Sequence, residues 1–248
     1  GGNAVTTLGT GNFNGGTGGA VTFNDPVVLN ATPVTITTTP GARTGTGTSA
    51  GGNITFLSTI DATAAGVQGL TLVAGDTGAA GVTGGAIAVT GIVGATRLDA
   101  LTITSADDVT FSAAVSADSL TSTSKSFTAT SITTSVANTA GGAVDINNAT
   151  TAGAVSITGL INTAGGVATA AGLTGGAVTI DWLTIAVAGI TTSGSATNAA
   201  GEAAGGSAGL ITLNTTASGT ITLAGALTAT GGNAVTTLGT GNFNGGTG

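Results

Sequence analysis

Short stretches in which apolar and small polar residues alternate recur along the whole chain. Because successive side chains of a β-strand point to opposite faces, an apolar–polar–apolar triplet predicts a short strand with one buried face. A second set of triplets follows the first at a distance of 10 to 16 residues. We therefore predict an all-β protein. The first set lies at 21–23, 54–56, 87–89, 109–111, 144–146, 178–180 and 211–213, and the second at 34–36, 70–72, 101–103, 155–157 and 221–223.

A Gly-Gly pair, or the variant Ala-Gly, precedes most triplets of the first set. The copies begin 33, 33, 57, 34 and 33 residues apart, and DDVTF at 107–111 divides the interval of 57. A regular period of this size indicates repeat units that must stack to bury their apolar faces. We predict a parallel β-solenoid of about seven coils of 23–40 residues each. The coils start near residues 18, 51, 84, 108, 141, 175 and 208.

Stacked coils bring equivalent residues into ladders at the strand spacing of ~4.8 Å. Taken as one column, the first set of triplets places Phe23, Phe56 and Phe111 in an aromatic stack inside the solenoid. Trp182 and the other Phe residues are expected to fill the core or its corners. The runs of small residues at 75–85 and 168–176 are expected to form turns or protruding loops in which Gly supplies positive φ.

A much longer repeat surrounds the short one. Residues 231–248 are identical to residues 1–18, at an offset of 230. This identity predicts tandem copies of a period of about 230 residues, with residues 1–248 forming one continuous solenoid segment. Solenoids normally carry polar caps that prevent edge-to-edge pairing, and both termini here have ordinary repeat sequence. We therefore expect the chain to be an internal segment of a longer array.

Composition excludes several classes of function. Only 5% of the residues are charged, the net charge is −7, and Cys and His are absent. The three basic residues, Arg43, Arg97 and Lys125, are too few to follow a phosphate backbone, so we expect no nucleic-acid partner. No apolar run approaches the ~18 to 20 residues of a membrane-spanning helix, so we expect no membrane-spanning segment. An apolar content of 41% with many β-branched residues favours ordered β-structure over disorder.

The candidate catalytic chemistry is limited to carboxylates. Without His or Cys, neither a Ser–His–Asp triad nor a Cys–His pair can form. Asp107 and Asp108 are similar to the paired aspartates of β-helical polysaccharide hydrolases. Adjacent residues of one strand face opposite ways, however, and we expect the two to lie in a solvated turn. The sequence predicts no catalytic residue and no cofactor, and therefore no enzyme.

The sequence has features of two binding functions, calcium binding and ice binding, but each feature has a simpler structural explanation. The stretch 9–19 has the rhythm of a calcium-binding nonapeptide repeat but lacks its Asp, and no Asp recurs at a fixed position, so we expect no metal site. The middle positions of the triplets form Thr columns similar to those of ice-binding solenoids. Ala88 and Asp145 interrupt the first column, which favours ordinary solvent-facing strand Thr. The aspartates that fail to recur at a fixed position, as a repeated calcium site would require, are Asp25, Asp61, Asp76, Asp99 and Asp118.

The repeat resembles a known class of surface protein. The GGAVTF and GGNITF starts, the LTIT and ITLAGALT strands and the Gly-Thr-Ala-rich turns resemble the β-strand repeats of giant bacterial surface proteins. These are the filamentous-haemagglutinin-like and autotransporter-like exoproteins, and the resemblance spans the whole chain. It implies a secreted, right-handed β-helix at the cell surface or outside the cell, which serves as a fibre, stalk or adhesin shaft.

The sequence thus predicts a structural extracellular filament or adhesin shaft. Its expected partners are neighbouring copies of itself, in a filament or a lateral assembly, with other cell surfaces or glycans as further partners. Two alternatives stay open: a surface-layer or sheath subunit, and an ice- or glycan-binding β-solenoid.

Overall fold

The fold is an all-β solenoid of stacked parallel strands. A computed structural model describes residues 11–75, 79–148, 153–167, 171–197, 204–215, 218–234 and 245–248. Over these residues the chain forms strands and turns and no helix. The strands form one 15-stranded sheet and one two-stranded sheet, and their pairs are parallel. The predicted all-β parallel β-solenoid is confirmed, with about six turns where the sequence predicts about seven coils.

Most strands are short, and one is very long. Their bounds are β1 (Val21–Phe23), β2 (Val27–Leu29), β3 (Val34–Thr37), β4 (Ser49–Ala50), β5 (Ile54–Phe56), β6 (Ile60–Ala62), β7 (Leu70–Val73), β8 (Val82–Thr83), β9 (Ile87–Val89), β10 (Val93–Thr133), β11 (Val144–Asn148), β12 (Ala154–Asn162), β13 (Val178–Asp181), β14 (Thr184–Thr191), β15 (Ile211–Asn214), β16 (Thr220–Leu223) and β17 (Leu227–Thr228).

Three ladders form the sides of the solenoid in its N-terminal half, and we name them faces A, B and C. In each, an apolar residue pairs in register with an apolar residue of the next layer, so the inward side chains form a continuous core. Face A joins Val21, Ile54, Ile87 and Val109; face B joins Val27, Ile60 and Val93; face C joins Val34, Leu70 and Leu101.

The long strand β10 contributes to all three faces and passes around the solenoid more than once. Within it, residues 18 apart lie in successive layers. The Ser126 hydroxyl donates to the Asp108 carboxylate, and the Thr130 hydroxyl donates to the carbonyl of Ser112 at 2.9 Å. A layer of 18 residues within β10 is shorter than the predicted coil of 23–40 residues, because β10 turns each corner without a loop.

The same three faces continue in the C-terminal half, but there the triplets of the first set lie on face C and no longer on face A. The strands at 144, 178 and 211 stack on Leu120 of face C, and not on Val109 of face A. The prediction that all first-set triplets share one column is therefore wrong. Face A now joins Phe127, Val155, Ile185 and Ile221; face B joins Ile132, Ile161, Ile190 and Leu227; face C joins Leu120, Val144, Val178 and Ile211.

The aromatic residues follow this change of column. The rings of Phe23 and Phe56 stack with centroids 4.7 Å apart, as predicted. Val89 then separates Phe56 from Phe111, whose ring contacts Phe127 at 5.9 Å instead. Full burial makes Phe56, Phe111 and Phe127 strong contributors to stability.

Burial confirms the predicted core position for most of the large aromatic residues. Trp182 and three Phe residues are almost completely buried. Phe13 contradicts the prediction, because 41% of it is exposed and it pairs with Thr44 at the N-terminal end. Phe243 lies outside the described residues. The three buried Phe residues are Phe56, Phe111 and Phe127.

Candidate functional surfaces

Four loops of the solenoid are each closed at the base by a buried threonine. The hydroxyl of Thr163 donates to the carbonyl of Gly176 at 2.6 Å, and the Gly176 N–H donates back to the Thr163 carbonyl at 2.7 Å. A neutral hydrogen bond of this kind is worth about 1 kcal/mol, and its buried oxygen would be costly to leave unpaired. The same clasp recurs as Thr38 with Gly52, Thr134 with Gly142 and Thr192 with Gly209.

These clasp threonines were missed at the level of sequence. Their signal is a Thr that follows the last strand of a coil and precedes a run of small residues ending in Gly-Gly or Ala-Gly. Ala74 occupies the same place before Gly85 and keeps only the backbone bond, at 2.9 Å. The hydroxyl therefore reinforces a corner that the backbone already closes.

The second glycine of each motif is required by close approach between layers. A Cβ on Gly85 would lie less than 3.0 Å from the carbonyl of Gly52, and one on Gly176 would meet the carbonyl of Gly142 in the same way. Neither glycine has positive φ. Positive φ occurs instead at Gly75 (86°) and Gly81 (77°), as predicted for the loop at 75–85, whereas part of the predicted loop at 168–176 lies outside the described residues.

The loops stack into an edge that runs along the solenoid and changes position once. In the N-terminal half, loops 39–51 and 75–84 leave the corner that precedes face A. In the C-terminal half, loop 135–141 and the described parts of the segments 164–175 and 193–208 leave the corner that precedes face C. Because β10 has no loop, it allows the edge to move by one face between the two halves.

Charged side chains concentrate in this loop-free region. Six of the thirteen charged residues of the sequence lie in β10. The Lys125 ammonium pairs with the Asp107 carboxylate at 2.6 Å, which also accepts the Gly84 N–H at 3.0 Å. Arg97 pairs with Asp118. Ion pairs near the surface, such as these partly buried ones, contribute little stability, roughly 0 to 1 kcal/mol.

Asp107 and Asp108 do not form a carboxylate pair. The prediction of a solvated turn is wrong, because both lie within β10 and have partners in neighbouring layers. Asp107 pairs with Lys125, whereas Asp108 accepts the hydroxyl of Ser126. The two carboxylates are therefore bound by different groups.

In the stretch that is similar to a calcium-binding repeat, two Asn side chains accept hydrogen bonds from backbone N–H groups. The side-chain oxygen of Asn12 accepts the N–H of Thr46 at 2.9 Å, and that of Asn14 accepts the N–H of Thr48 at 2.8 Å. Asp61 accepts the Thr96 N–H at 2.8 Å. Across the part of the chain that the structure describes, no three His, Cys, Asp or Glu side chains come together. Asp76 lies outside that part.

The Thr columns do not form one surface. Thr22, Thr55 and Thr110 lie on face A, where Ala88 interrupts them. The later members of the predicted column, Asp145, Thr179 and Thr212, lie on face C. The second column is divided likewise, with Thr35, Thr71 and Thr102 on face C and Thr222 on face A. Face A therefore carries a Thr row that Ala88 interrupts, and face C carries one that Asp145 interrupts.

Both ends of the solenoid expose the residues that the interior buries. At the C-terminal end, Ile221, Leu223 and Leu227 are 43%, 46% and 41% exposed, although they continue ladders whose previous members are buried. At the N-terminal end, Phe23, Val27, Val34 and Ile36 are only partly buried. Among the described residues, the two ends are thus apolar layers that no further strand covers.

No family model, curated protein or solved structure matches the chain. Within the described residues, no helix is long and apolar enough to cross a membrane.

Proposed function

We propose that the chain is a segment of a structural extracellular filament or adhesin shaft, with no catalytic role. The observation that carries this proposal is the pair of open apolar ends, combined with the identity of residues 231–248 to residues 1–18. A layer that exposes its core residues is completed when another layer of the same pattern stacks on it.

The direction of the backbone hydrogen bonds suits a load-bearing shaft. Bonds such as Val21 N–H to the Asn53 carbonyl and Ile54 N–H to the Ala86 carbonyl, both 2.9 Å, join one layer to the next along the solenoid axis. The threonine clasps hold the bases of four loops, so these loops add surface without interrupting the stack. Pulling along the axis would load many parallel bonds together.

The interrupted Thr rows favour a shaft over an ice-binding surface. An ice-binding face needs a regular two-dimensional array of hydroxyls, and the rows here are interrupted by Ala88 on face A and by Asp145 on face C. A surface-layer or sheath subunit remains the alternative assembly, in which contacts between the sides of solenoids would dominate over contacts between their ends.

Solution scattering on chains of one and two periods tests this proposal. The two-copy chain joins residues 1–248 to a second copy of residues 19–248, so that the overlap of 18 residues occurs once. About six turns at ~4.8 Å per layer give a rod of roughly 30 Å per period. We expect the length to double at an unchanged cross-section. A two-copy particle of unchanged length and larger cross-section, or two-dimensional sheets, would refute the shaft.

A further inference from the structure

The C-terminal end of the solenoid carries the beginning of another layer. Residues 245–248 have the sequence of residues 15–18. The carbonyl of Thr247 accepts the N–H of Ala208 at 2.8 Å, just as Ser207 accepts that of Gly175 at 2.9 Å one layer earlier. The hydroxyls of Thr247 and Ser207 lie 3.1 Å apart. Gly248 therefore occupies the first position of a Gly-Gly motif stacked on Ala208 and Gly209.

We propose that this end binds the N-terminal end of a following copy of the same sequence, displaced by one face. In this register, Val21 of the following copy stacks on Ile211 of face C. Val27 of that copy then stacks on Ile221 of face A, and its Val34 on Leu227 of face B. The inference rests on the proposed function and adds to it the binding surface, the partner and the register.

The two ends match in pattern and in hydrogen-bonding direction. Both Ile211–Leu213 and Val21–Phe23 read apolar–Thr–apolar. Within the solenoid, the N–H of Val178 donates to the carbonyl of Leu210 at 2.8 Å, which is the residue before its ladder partner Ile211. By the same rule, the N–H of Ile211 donates to the carbonyl of Ala20 in the following copy.

Stacking in this register removes the exposed apolar surface of both ends. Ile221, Leu223 and Leu227 become covered by the strands that contain Val27 and Val34 of the following copy. Burying several apolar side chains of this size together favours a stable junction.

The displaced register determines at which corner of the filament the loops of each copy lie. Within one copy the loop edge moves from the corner before face A to the corner before face C. If the following copy starts its Gly-Gly column on Gly209, its first loops leave the corner before face C, and its own β10 moves the edge by one face more. The loops then occupy the three corners in turn, and three copies restore the starting corner.

Disulfide formation in the two-copy chain distinguishes this register from an undisplaced one. The sequence has no Cys, so introduced thiols are the only ones. Directly opposed residues of neighbouring strands lie within the Cα separation that a disulfide spans, about 4.4 to 6.8 Å. We place Thr212→Cys in the first copy and Thr22→Cys in the second, and compare Thr222→Cys in the first copy with Thr22→Cys in the second. Thr22→Cys with Thr55→Cys in the first copy, registered partners in the structure, is the positive control.

We expect the pair at 212 and 22 to oxidise as fully as the control pair, and the pair at 222 and 22 to give at least ten-fold less disulfide. The reverse preference would overturn the displaced register and leave the shaft standing. Failure of both pairs, with a fully oxidised control, would contradict stacking of the copies and the shaft with it.

A glycine substitution gives a second readout of the same contact. A Cβ on Gly19 meets nothing within 4 Å at the free N-terminal end, whereas a Cβ on Gly209 meets the carbonyl of Gly176. In the second copy, Gly19 would lie on Gly209 in the same way. Gly19→Ala in the second copy is therefore expected to reduce the 212–22 disulfide several-fold, and the same change in the first copy to leave it unaltered. Equal effects from the two copies would overturn the contact.

Discussion

Gly85→Ala is expected to destabilise the folded chain by about 3 kcal/mol or more, at the upper end of the cost of overpacking a filled site. Gly85 is buried, and its added Cβ would overlap with the carbonyl carbon and oxygen of Gly52 in the layer before. Both atoms belong to the backbone, so no side chain can move aside. Separating the layers would break the bond from the Ile54 N–H to the Ala86 carbonyl, which is 2.9 Å long. Urea unfolding followed by far-ultraviolet circular dichroism measures the loss.

Gly19→Ala is the matched control for this substitution. Gly19 has the same place in the motif, but it belongs to the first layer, where a Cβ meets nothing within 4 Å. We expect the control to change the free energy of unfolding by less than about 0.5 kcal/mol. If the two variants unfold at the same urea concentration, close approach between layers is not the reason for the Gly-Gly motif.

Phe127→Ala is expected to cost about 3 to 5 kcal/mol, the range for removing a buried aromatic side chain. Phe127 is fully buried on face A, where it pairs with Val155 and contacts the ring of Phe111. It lies in the loop-free region that connects the two halves of the solenoid. The single long strand β10 forms the sides of the solenoid there, and it cannot close around the empty volume without losing its register with the neighbouring layers.

Leu210→Ala is the control for the change at Phe127. Leu210 is 71% exposed, and its carbonyl, which accepts the N–H of Val178, is unaffected by truncation of the side chain. We expect a change within about 0.5 kcal/mol of zero in the same unfolding measurement. A loss below about 1 kcal/mol for Phe127→Ala would show that β10 is not the packed connection between the halves.

The fold class could be predicted from the sequence because the types of residue that recur, and their spacing, show the repeat directly. Apolar residues at alternating positions, with Gly-Gly at regular intervals, permit little other than stacked short strands. The ladders of face A in the N-terminal half and of face C in the C-terminal half each join the triplets that the pattern identified.

The connection between those two ladders could not be predicted. The interval from 84 to 141 admits strands at several places, and after Gly94 the alternation in β10 continues without a Gly or Pro to mark its corners. Alternation shows which side chains point inward, but not on which face of a three-sided solenoid they lie. For this reason, a single column was predicted where the structure has two.

The clasp threonines were missed for a related reason. Thr is common throughout the sequence, and most strand Thr residues point outward. Thr163 and Thr192 differ from them only in lying one residue beyond a strand, where the hydroxyl turns into the base of the loop. Their role depends on a glycine carbonyl 13 or 17 residues away, and strand periodicity carries no information on such a contact.

Cryo-electron microscopy of the native material tests the central claim most directly, through the power spectrum along the long axis of the particles. Stacked solenoid layers that continue from copy to copy predict single rods with a layer line near ~4.8 Å along that axis. Compact particles, or sheets that lack the axial spacing, would contradict a shaft built from this sequence.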